Sequence, residues 1–286
     1  MAAPIIPKYA EKYKTIKIEI DASGVAVATL NANDKGGCNL LTSRLFKDFC
    51  DMVKNVAKDP RIRVFVCRSA NEDFWMAHLD VTTLFGDPLT KEDSGPLLRG
   101  EVLNEWHSVG EILRNMPKAT IAEIAGRVGG GGHEFSLGFD MRFGVYGKTR
   151  ICQMEVPLGI MPGGGGCVNL HRFLGAGRTM EIVLGGDDID AETAERWGLL
   201  NRCFHDAASC RAHVDALAAR IAKFPVTAVQ EAKASVLAAE RMPHTEALKE
   251  NLYLFYKSTR GPEARARMEA FLKHGGQTRD GEMNLQ

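Results

Sequence analysis

The sequence has no excess of charge of either sign, because 36 lysines and arginines balance 36 aspartates and glutamates among its 286 residues. Proteins that bind nucleic acid or anionic membranes need a basic excess, so neither partner is expected. No apolar run approaches the roughly 20 residues of a membrane-spanning helix. The opening segment, MAAPIIPKYAEKYK, has neither a hydrophobic signal core nor a transit-peptide pattern, which predicts a cytoplasmic protein.

Paired cysteines are also missing. The seven cysteines are odd in number and include no C-x-x-C pair, a pattern typical of reduced thiols that pack as small apolar side chains. The histidines and cysteines show no metal-ligand spacing, so no metal site is expected. With 45% hydrophobic and 25% charged residues, the composition is that of a folded chain with ample length to bury a core.

Short strands alternate with helices over the first two thirds of the chain. Residues 15–20 and 25–30 alternate in polarity like a strand pair, and residues 42–57 carry a helical apolar stripe with Ser43 or Thr42 as N-cap. This alternation predicts an α/β core. Further elements are predicted as strands at 64–67, 120–125, 141–145 and 150–152, helices at 97–115, 191–197, 207–223, 226–241, 244–257 and 262–273, and a loose polar tail from Gly275.

The strongest local feature is a run of four glycines, 129–132, between a predicted strand and a helix expected to begin near His133. Glycine lets the backbone approach a ligand closely, and unpaired N–H groups at a helix N-terminus stabilise developing negative charge. A tight turn and a phosphate-binding loop are the alternatives, although the spacing matches neither G-x-G-x-x-G nor a Gly-Lys-Ser/Thr motif.

Two glutamates stand in apolar, glycine-flanked surroundings. Glu134 follows the glycine run in the first turn of the predicted helix, and Glu155 precedes a second glycine run, 163–166. Burial raises the pKa of a carboxyl group and suits it to proton transfer, although Glu134 alone is also a favourable first-turn helix residue. Two such carboxylates facing one cleft would be able to move protons or activate water.

Three segments together resemble the enoyl-CoA hydratase/isomerase (crotonase) family. They are IAGRVGGGGHEFSLGFD (124–140), EVPLGIMPGGGGCVNLHRFLG (155–175) and AETAERWGLLNRCF (191–204), and the similarity covers roughly residues 15–275. The resemblance implies an α/β fold with a crotonase-like ββα spiral core over residues 1–204. It implies that the helical region 205–286 covers the pocket and builds a homotrimer or a dimer of trimers, a homohexamer.

The resemblance also implies roles for particular residues. The family polarises a thioester carbonyl with an oxyanion hole of two backbone N–H groups, which match Gly131 and Leu79 here. Family hydratases hold a water between two glutamates, which match Glu134 and Glu155. The implied enzyme is a hydro-lyase that adds water to, or removes it from, an α,β-unsaturated acyl thioester through an enolate. Coenzyme A would belong to that small-molecule substrate, and no separate cofactor or metal is implied.

Several positions depart from the family pattern or add to it. His78 replaces the usual glycine of the first oxyanion motif, and His133 precedes Glu134. His78 is interpreted either as a substrate contact or as a surface or packing residue of a loop. His133 is interpreted either as a substrate contact or as a residue that caps the helix or faces solvent. Asp80 and Gly130 are expected to contact the substrate as well.

Other departures concern the neighbourhood of the site. The Arg-Pro of the family's CoA-contacting loop is missing, and Lys35 is the candidate replacement cation. Glu123 and Arg127 either pair across the glycine loop or line the pocket. Trp106 and His107 lie where the family shapes its acyl pocket, although an aromatic residue on an amphipathic helix is more often part of the core.

Three alternatives to the hydratase stay open at this point. A double-bond isomerase on the same scaffold would shuttle a proton without water. A C–C hydrolase or cyclisation catalyst acting on a CoA-free carbonyl compound would use His78 and His133. A non-catalytic crotonase-like binding protein would keep the fold after loss of the activity, which the retention of Glu134 and Glu155 argues against.

Overall fold

The computed structural model describes residues 3–32, 36–86 and 103–284. The chain divides into two compact units, Met1–Ala222 and Lys223–Gln286. The predicted C-terminal region 205–286 therefore contributes its first helix, Ala207–Ala222, to the first unit. The roles in assembly and pocket covering that were expected of this region stay predictions.

The strands of the first unit form two sheets. Their bounds are β1 Ile16–Ile20, β2 Val25–Leu30, β3 Val64–Ser69, β4 Phe74–Met76, β5 Ala119–Ile124, β6 Arg127–Gly129, β7 Met141–Val145, β8 Arg150–Cys152, β9 Ile189–Asp190 and β10 Arg202–Phe204. One sheet has the order β1-β2-β3-β5-β7-β10 and the other β4-β6-β8-β9. The pairs β1/β2 and β8/β9 are antiparallel and the other pairs are parallel. The mixed α/β architecture agrees with the prediction.

Helices connect and cover these strands. Those of the first unit are α1 Ser43–Lys58, α2 Thr82–Phe85, α3 Glu105–Asn115, α4 Gly130–Ser136, α5 Gly166–Gly185, α6 Ala191–Trp197 and α7 Ala207–Ala222. Those of the second unit are α8 Val226–Ala239, α9 His244–Thr259, α10 Ala264–Lys273 and α11 Arg279–Met283. Across the described ranges, none of these helices has the length and apolarity needed to cross a membrane.

Three helix predictions need correction. α3 begins at Glu105, because the side chain of Asn104 caps it by accepting from His107 N. Residues 97–102 of the predicted helix lie outside the described residues. α4 begins at Gly130, three residues before His133. The tail predicted to be loose contains α11, because the Thr278 side chain accepts from Gly281 N and begins a helix there.

The first helix shows how local sequence and burial act together. Thr42 caps α1, its Oγ1 accepting from Leu45 N at 3.3 Å. The helix ends at Asp59, where Pro60 cannot continue the hydrogen-bond pattern. The buried stripe that the spacing predicted packs into the core of the first unit, and it consists of Leu45, Phe49, Met52, Val53 and Val56.

The second sheet positions the candidate site. Its strands β4, β6 and β8 run parallel, with Met76 opposite Val128 and Gly129 opposite Cys152. The carboxyl ends of parallel neighbours lie at one edge of a sheet, where ligands commonly bind. Three segments distant in sequence therefore meet at this edge, and they are residues 77–79, 130–134 and 153–155.

Candidate active site

A cavity of about 450 Å³ opens at this edge of the second sheet. Its polar wall includes Leu79, Gly131, Glu134 and Glu155, which are the four residues that the family motifs match. Its apolar wall consists largely of Phe46, Val81, Leu84, Trp106, Met154, Leu158, Ile160 and Met161. An apolar cavity with a few convergent polar groups is the usual form of a small-molecule site.

Two backbone donors lie in the wall of this cavity. Leu41 N donates to His78 O at 2.9 Å and Asp80 N donates to Leu41 O at 3.1 Å, which leaves the intervening Leu79 N–H on the opposite side of the strand. Within the described residues, that N–H donates to no protein atom. Gly131 lies in the first turn of α4, where backbone N–H groups lack intrahelical acceptors. Such a pair of donors is able to stabilise an oxyanion.

The residues beside the two donors differ in their need for glycine. His78 lies outside the left-handed region, since Asn39 and Gln277 are the non-glycine residues with positive φ among those described. Its Nδ1 donates to Leu79 O at 2.8 Å, and its side chain lines the cavity. Gly130 has a φ of 45°, and an added methyl group would lie 2.9 Å from Glu155 Oε1. Glycine is therefore required at 130 but not at 78.

Glu134 is buried and held at one oxygen. Its Oε1 accepts from Gly164 N and from Gly166 N, each at 2.8 Å. Burial raises the pKa of Glu134 to about 7 despite these two N–H groups, and the charge of Glu155 acts in the same direction as burial. The carboxyl group thus exchanges its proton near neutral pH, as a general acid or base needs to do.

Glu155 is the second buried carboxyl group of the cavity. It precedes a short 3-10 turn, Val156–Leu158, and its backbone carbonyl accepts from Leu158 N and Ile160 N. Burial raises the pKa of Glu155. Its Oε2 is buried without a hydrogen-bond partner among the described residues. A buried polar atom without a partner is costly in a folded protein and is typical of chemically active positions.

His133 and Asp80 do not line the cavity, although both were predicted to contact substrate. His133 is fully buried, and its Nδ1 accepts from Gln153 Nε2 at 3.0 Å. Burial lowers the pKa of His133 to about 3, which keeps the ring neutral. Asp80 is buried, and its Oδ1 accepts from Thr82 Oγ1 at 2.7 Å at the start of α2. The exposed or helix-capping alternatives for His133 are therefore wrong, and its substrate contact stays a prediction without support from the geometry.

Glu123 and Arg127 neither pair with each other nor line the cavity. Glu123 lies on β5 of the first sheet, and its carboxylate pairs with Arg68 and Arg211, each at 3.1 Å. Arg127 lies on β6 of the second sheet and pairs with Asp188 at 2.8 Å. The two residues lie in different sheets. The predictions that they pair across the glycine loop or line the pocket are therefore both wrong.

Three residues contribute to the site without having been predicted. Gly164 and Gly166 donate the backbone N–H groups that hold Glu134, and the second glycine run was the signal that pointed to them. Lys47 is the cation among the described cavity-lining residues, whereas Lys35 lies outside the described residues. Lys47 is an exposed residue of α1, and no recognisable motif in the sequence marks it.

Trp106 and His107 differ in their placement. Trp106 packs against the core, as the sequence favoured, and also lines the cavity. His107 does not line the cavity, and its ring bonds the cap residue Asn104. In the described ranges, no group of three His, Cys, Asp or Glu side chains is arranged to hold a metal ion.

Comparisons with known proteins bear on the family and the fold of the chain. The chain matches the enoyl-CoA hydratase/isomerase family model over residues 21–278. It superposes on the enoyl-CoA hydratase of Geobacillus kaustophilus HTA426 with a TM-score of 0.83 and 25% identity, covering 95% of this chain and 97% of that one. The fold is shared with the enoyl-CoA hydratase of Bacillus anthracis, at a TM-score of 0.80 and 22% identity over 91% of this chain and 96% of that one. These matches confirm the predicted crotonase fold.

A curated relative matches a smaller part. The fatty acid oxidation complex subunit alpha of Shewanella loihica (strain ATCC BAA-1088 / PV-4) is 29% identical over 180 residues, which are 63% of this chain. The match spans 24% of that longer protein, so its activity as a whole does not transfer to this chain. On the family match over most of its length, this chain belongs to the enoyl-CoA hydratase/isomerase family.

Proposed function

We propose that this protein is a hydro-lyase of the enoyl-CoA hydratase type, which adds water to an α,β-unsaturated acyl thioester or removes it. The observation that carries the proposal is the pair Glu134 and Glu155, two buried carboxyl groups that face one cavity beside the N–H groups of Leu79 and Gly131. Neither carboxyl group forms an ion pair within the described residues. Each of these groups has a place in the chemistry of hydration.

The reaction follows from these positions. The thioester oxygen accepts hydrogen bonds from Leu79 N–H and Gly131 N–H, which stabilise the negative charge of the enolate. Ionised Glu134 removes a proton from water as the oxygen bonds to the β-carbon. Protonated Glu155 then delivers its proton to the α-carbon, and the thioester carbonyl is restored. After the reaction Glu134 carries the proton and Glu155 is ionised, so hydration consumes no net proton.

The productive form of the site therefore holds one proton on two carboxyl groups. Burial is the main cause of the raised pKa of Glu134, and the charge of Glu155 adds to it. Two negative charges so close together are unfavourable in a buried site, which stabilises the singly protonated form. The environment thus favours the protonation state that hydration and dehydration both require.

The cavity walls suit an acyl group attached to a polar carrier. The apolar residues Phe46, Met154 and Met161 are placed to contact the acyl chain. Lys47 is exposed and also lines the cavity, so its ammonium group is available to a phosphate of coenzyme A. Coenzyme A as the carrier is part of the proposal.

The proposal is tested by following the conjugated thioester absorbance with a panel of trans-2-enoyl-CoA substrates. Wild-type protein is expected to remove the absorbance and form the 3-hydroxyacyl product, and Glu134→Gln and Glu155→Gln to lose at least about 100-fold in turnover. Formation of a shifted double bond without a hydroxyl group would instead establish the isomerase. If the protein neither turns over nor binds any acyl-CoA, the assignment is overturned.

We also propose self-association into a homotrimer or dimer of trimers. The described α9 helix exposes a row of apolar residues that an isolated chain leaves in water, including Leu248, Leu252 and Phe255. Sedimentation equilibrium of the full chain should give three or six times the mass of one chain. A purely monomeric protein at micromolar concentration would contradict this part of the proposal.

A further inference from the structure

The indole ring of Trp106 is packed in the cavity wall against two phenylalanine rings and a glycine. It stacks on Phe135 with ring centroids 4.9 Å apart and planes 3° from parallel. On its other contact it lies 5.2 Å from the ring of Phe46. Its benzene edge faces the backbone of Gly131, where an added methyl group would lie 2.6 Å from Cη2. The direction of the indole N–H is therefore set by the surrounding structure.

The indole nitrogen is the unusual atom of this residue. Trp106 Nε1 is buried and has no hydrogen-bond partner within the described residues. A buried tryptophan N–H normally finds an acceptor, as Trp75 does by donating to Cys67 O at 3.3 Å. An unpaired donor in the wall of a cavity is a reason to look for the acceptor that it faces.

The acceptor next to this N–H is the free oxygen of Glu134. A methyl group added to Gly164 would collide with both Trp106 Nε1 and Glu134 Oε2, so these two atoms crowd the same side of one glycine. Oε1 of Glu134 already accepts two backbone N–H groups, whereas no described group donates to Oε2. The oxygen that is left for chemistry thus lies beside the unpaired indole donor.

We propose that Trp106 is a positioning residue for Glu134, whose indole N–H directs and stabilises the free oxygen Oε2 of that carboxylate. The two backbone donors hold Oε1, and the nearby indole N–H attracts Oε2 electrostatically without a hydrogen bond in this structure, so the carboxylate meets its water in one orientation. A donor near a carboxylate favours the charged form over the protonated form. This inference rests on the proposed function for its catalytic consequence, but not for its effect on the ionisation of Glu134.

Trp106→Phe tests the inference, because phenylalanine keeps the aromatic stacking and removes the N–H. We expect kcat to fall about tenfold with KM within about threefold, and the pH midpoint of Glu134 to rise by about 0.5 to 1 unit. The midpoint is measured without substrate as well, from the infrared carboxyl band that is present in the wild-type protein and absent in Glu134→Gln. That measurement is independent of turnover.

Two further variants keep the result interpretable. Trp75→Phe removes a buried indole N–H away from the cavity, and we expect it to lower stability without moving the Glu134 midpoint. Gly164→Ala keeps the indole but places a methyl group against both Trp106 Nε1 and Glu134 Oε2, which separates the two atoms. The Glu134 midpoint should then rise as in Trp106→Phe. An unchanged Glu134 midpoint in both Trp106→Phe and Gly164→Ala overturns the inference. A raised midpoint in a protein that hydrates no enoyl-CoA leaves the inference standing and overturns only the proposed function.

Discussion

Two places in the described part of the first unit bury glutamates, and their surroundings differ. Beneath α7, Glu123 is buried between the guanidinium groups of Arg68 and Arg211. In the cavity, Glu134 is buried with two backbone N–H groups and no cation, and one oxygen of Glu155 has no partner among the described residues. Burial raises the pKa in all three cases.

The difference teaches what separates a structural carboxylate from a reactive one. Arginine is charged at all physiological pH values, so Glu123 has compensating charges that hold its own charge in place. Glu134 lacks that compensation and retains a tendency to take up a proton, which is what proton transfer uses. A raised pKa is common to all three glutamates, so the proposed function assigns the chemistry to the two that line the cavity and have no ion-pair partner within the described residues.

The largest expected effect is on turnover. Glu134→Gln and Glu155→Gln should each lower kcat for hydration by a factor of about 10² to 10⁴, because each removes a proton-transfer group. Glu123→Gln should leave kcat within about threefold under conditions where the protein stays folded. Steady-state kinetics on one enoyl thioester compares the three variants. Equal losses of kcat in all three variants would contradict the distinction between the cavity glutamates and Glu123.

Stability should change in opposite directions. Removing the buried partner of two arginines in Glu123→Gln should cost about 3 kcal/mol in the free energy of unfolding. Glu134→Gln should instead gain up to about 3 kcal/mol at pH 8, because an ordinary carboxyl pKa of 4.5 rises to about 7 on folding. Urea unfolding at pH 8 measures both.

The stability gain expected in Glu134→Gln depends on pH, which provides a control for the measurement. A carboxyl group with a raised folded pKa destabilises the native state progressively as pH rises from 4.5 to about 7. The gain in Glu134→Gln should therefore vanish at pH 4.5 and below. A gain that is the same at pH 4.5 and pH 8 would point to altered packing.

The pH dependence of catalysis should also report the ionisation of Glu134. The active site needs one proton on the pair, so kcat/KM should fall as pH rises through about 7, where the last proton leaves. Hydration and dehydration should have the same profile, since the reaction neither takes up nor releases a net proton. Initial rates in both directions between pH 5 and pH 9 test this. Profiles that differ between the two directions would contradict the shared proton.

The smallest expected effect is that of the histidine beside the first donor. His78→Ala should lower kcat/KM about threefold, because the ring only steadies the Leu79 peptide by donating to its carbonyl. His107→Ala is the control, because the His107 ring does not line the cavity, and it should change kcat/KM less than His78→Ala does. A loss of 100-fold in His78→Ala would show that the imidazole itself takes part in the chemistry.

Local pattern predicted much of the fold because the first strands and α1 have clear periodicity and caps. It failed at α4, where glycines with poor helical propensity form the first turn under the constraint of packing. The start of α3 was placed too early, since the capping role of Asn104 decides the boundary.

For the site, the motifs led to Glu134, Glu155, Leu79 and Gly131, which the fold brings to one cavity. The pairing of Glu123 with Arg211, 88 residues away, was beyond local reasoning. The same holds for the contact of Trp106 with Gly164 across the cavity. Such relations depend on which strand ends meet and on the direction of side chains, neither of which a single sequence displays.

The most direct test of the contrast is an infrared titration of the individual carboxyl groups. Difference spectra between the wild-type protein and Glu134→Gln, taken from pH 4 to pH 9, isolate the protonated carboxyl band of Glu134. We predict that this band disappears with a midpoint of about pH 7. A midpoint near 4.5, the ordinary value for glutamate, would contradict the claim that the cavity holds an unpaired and reactive carboxylate.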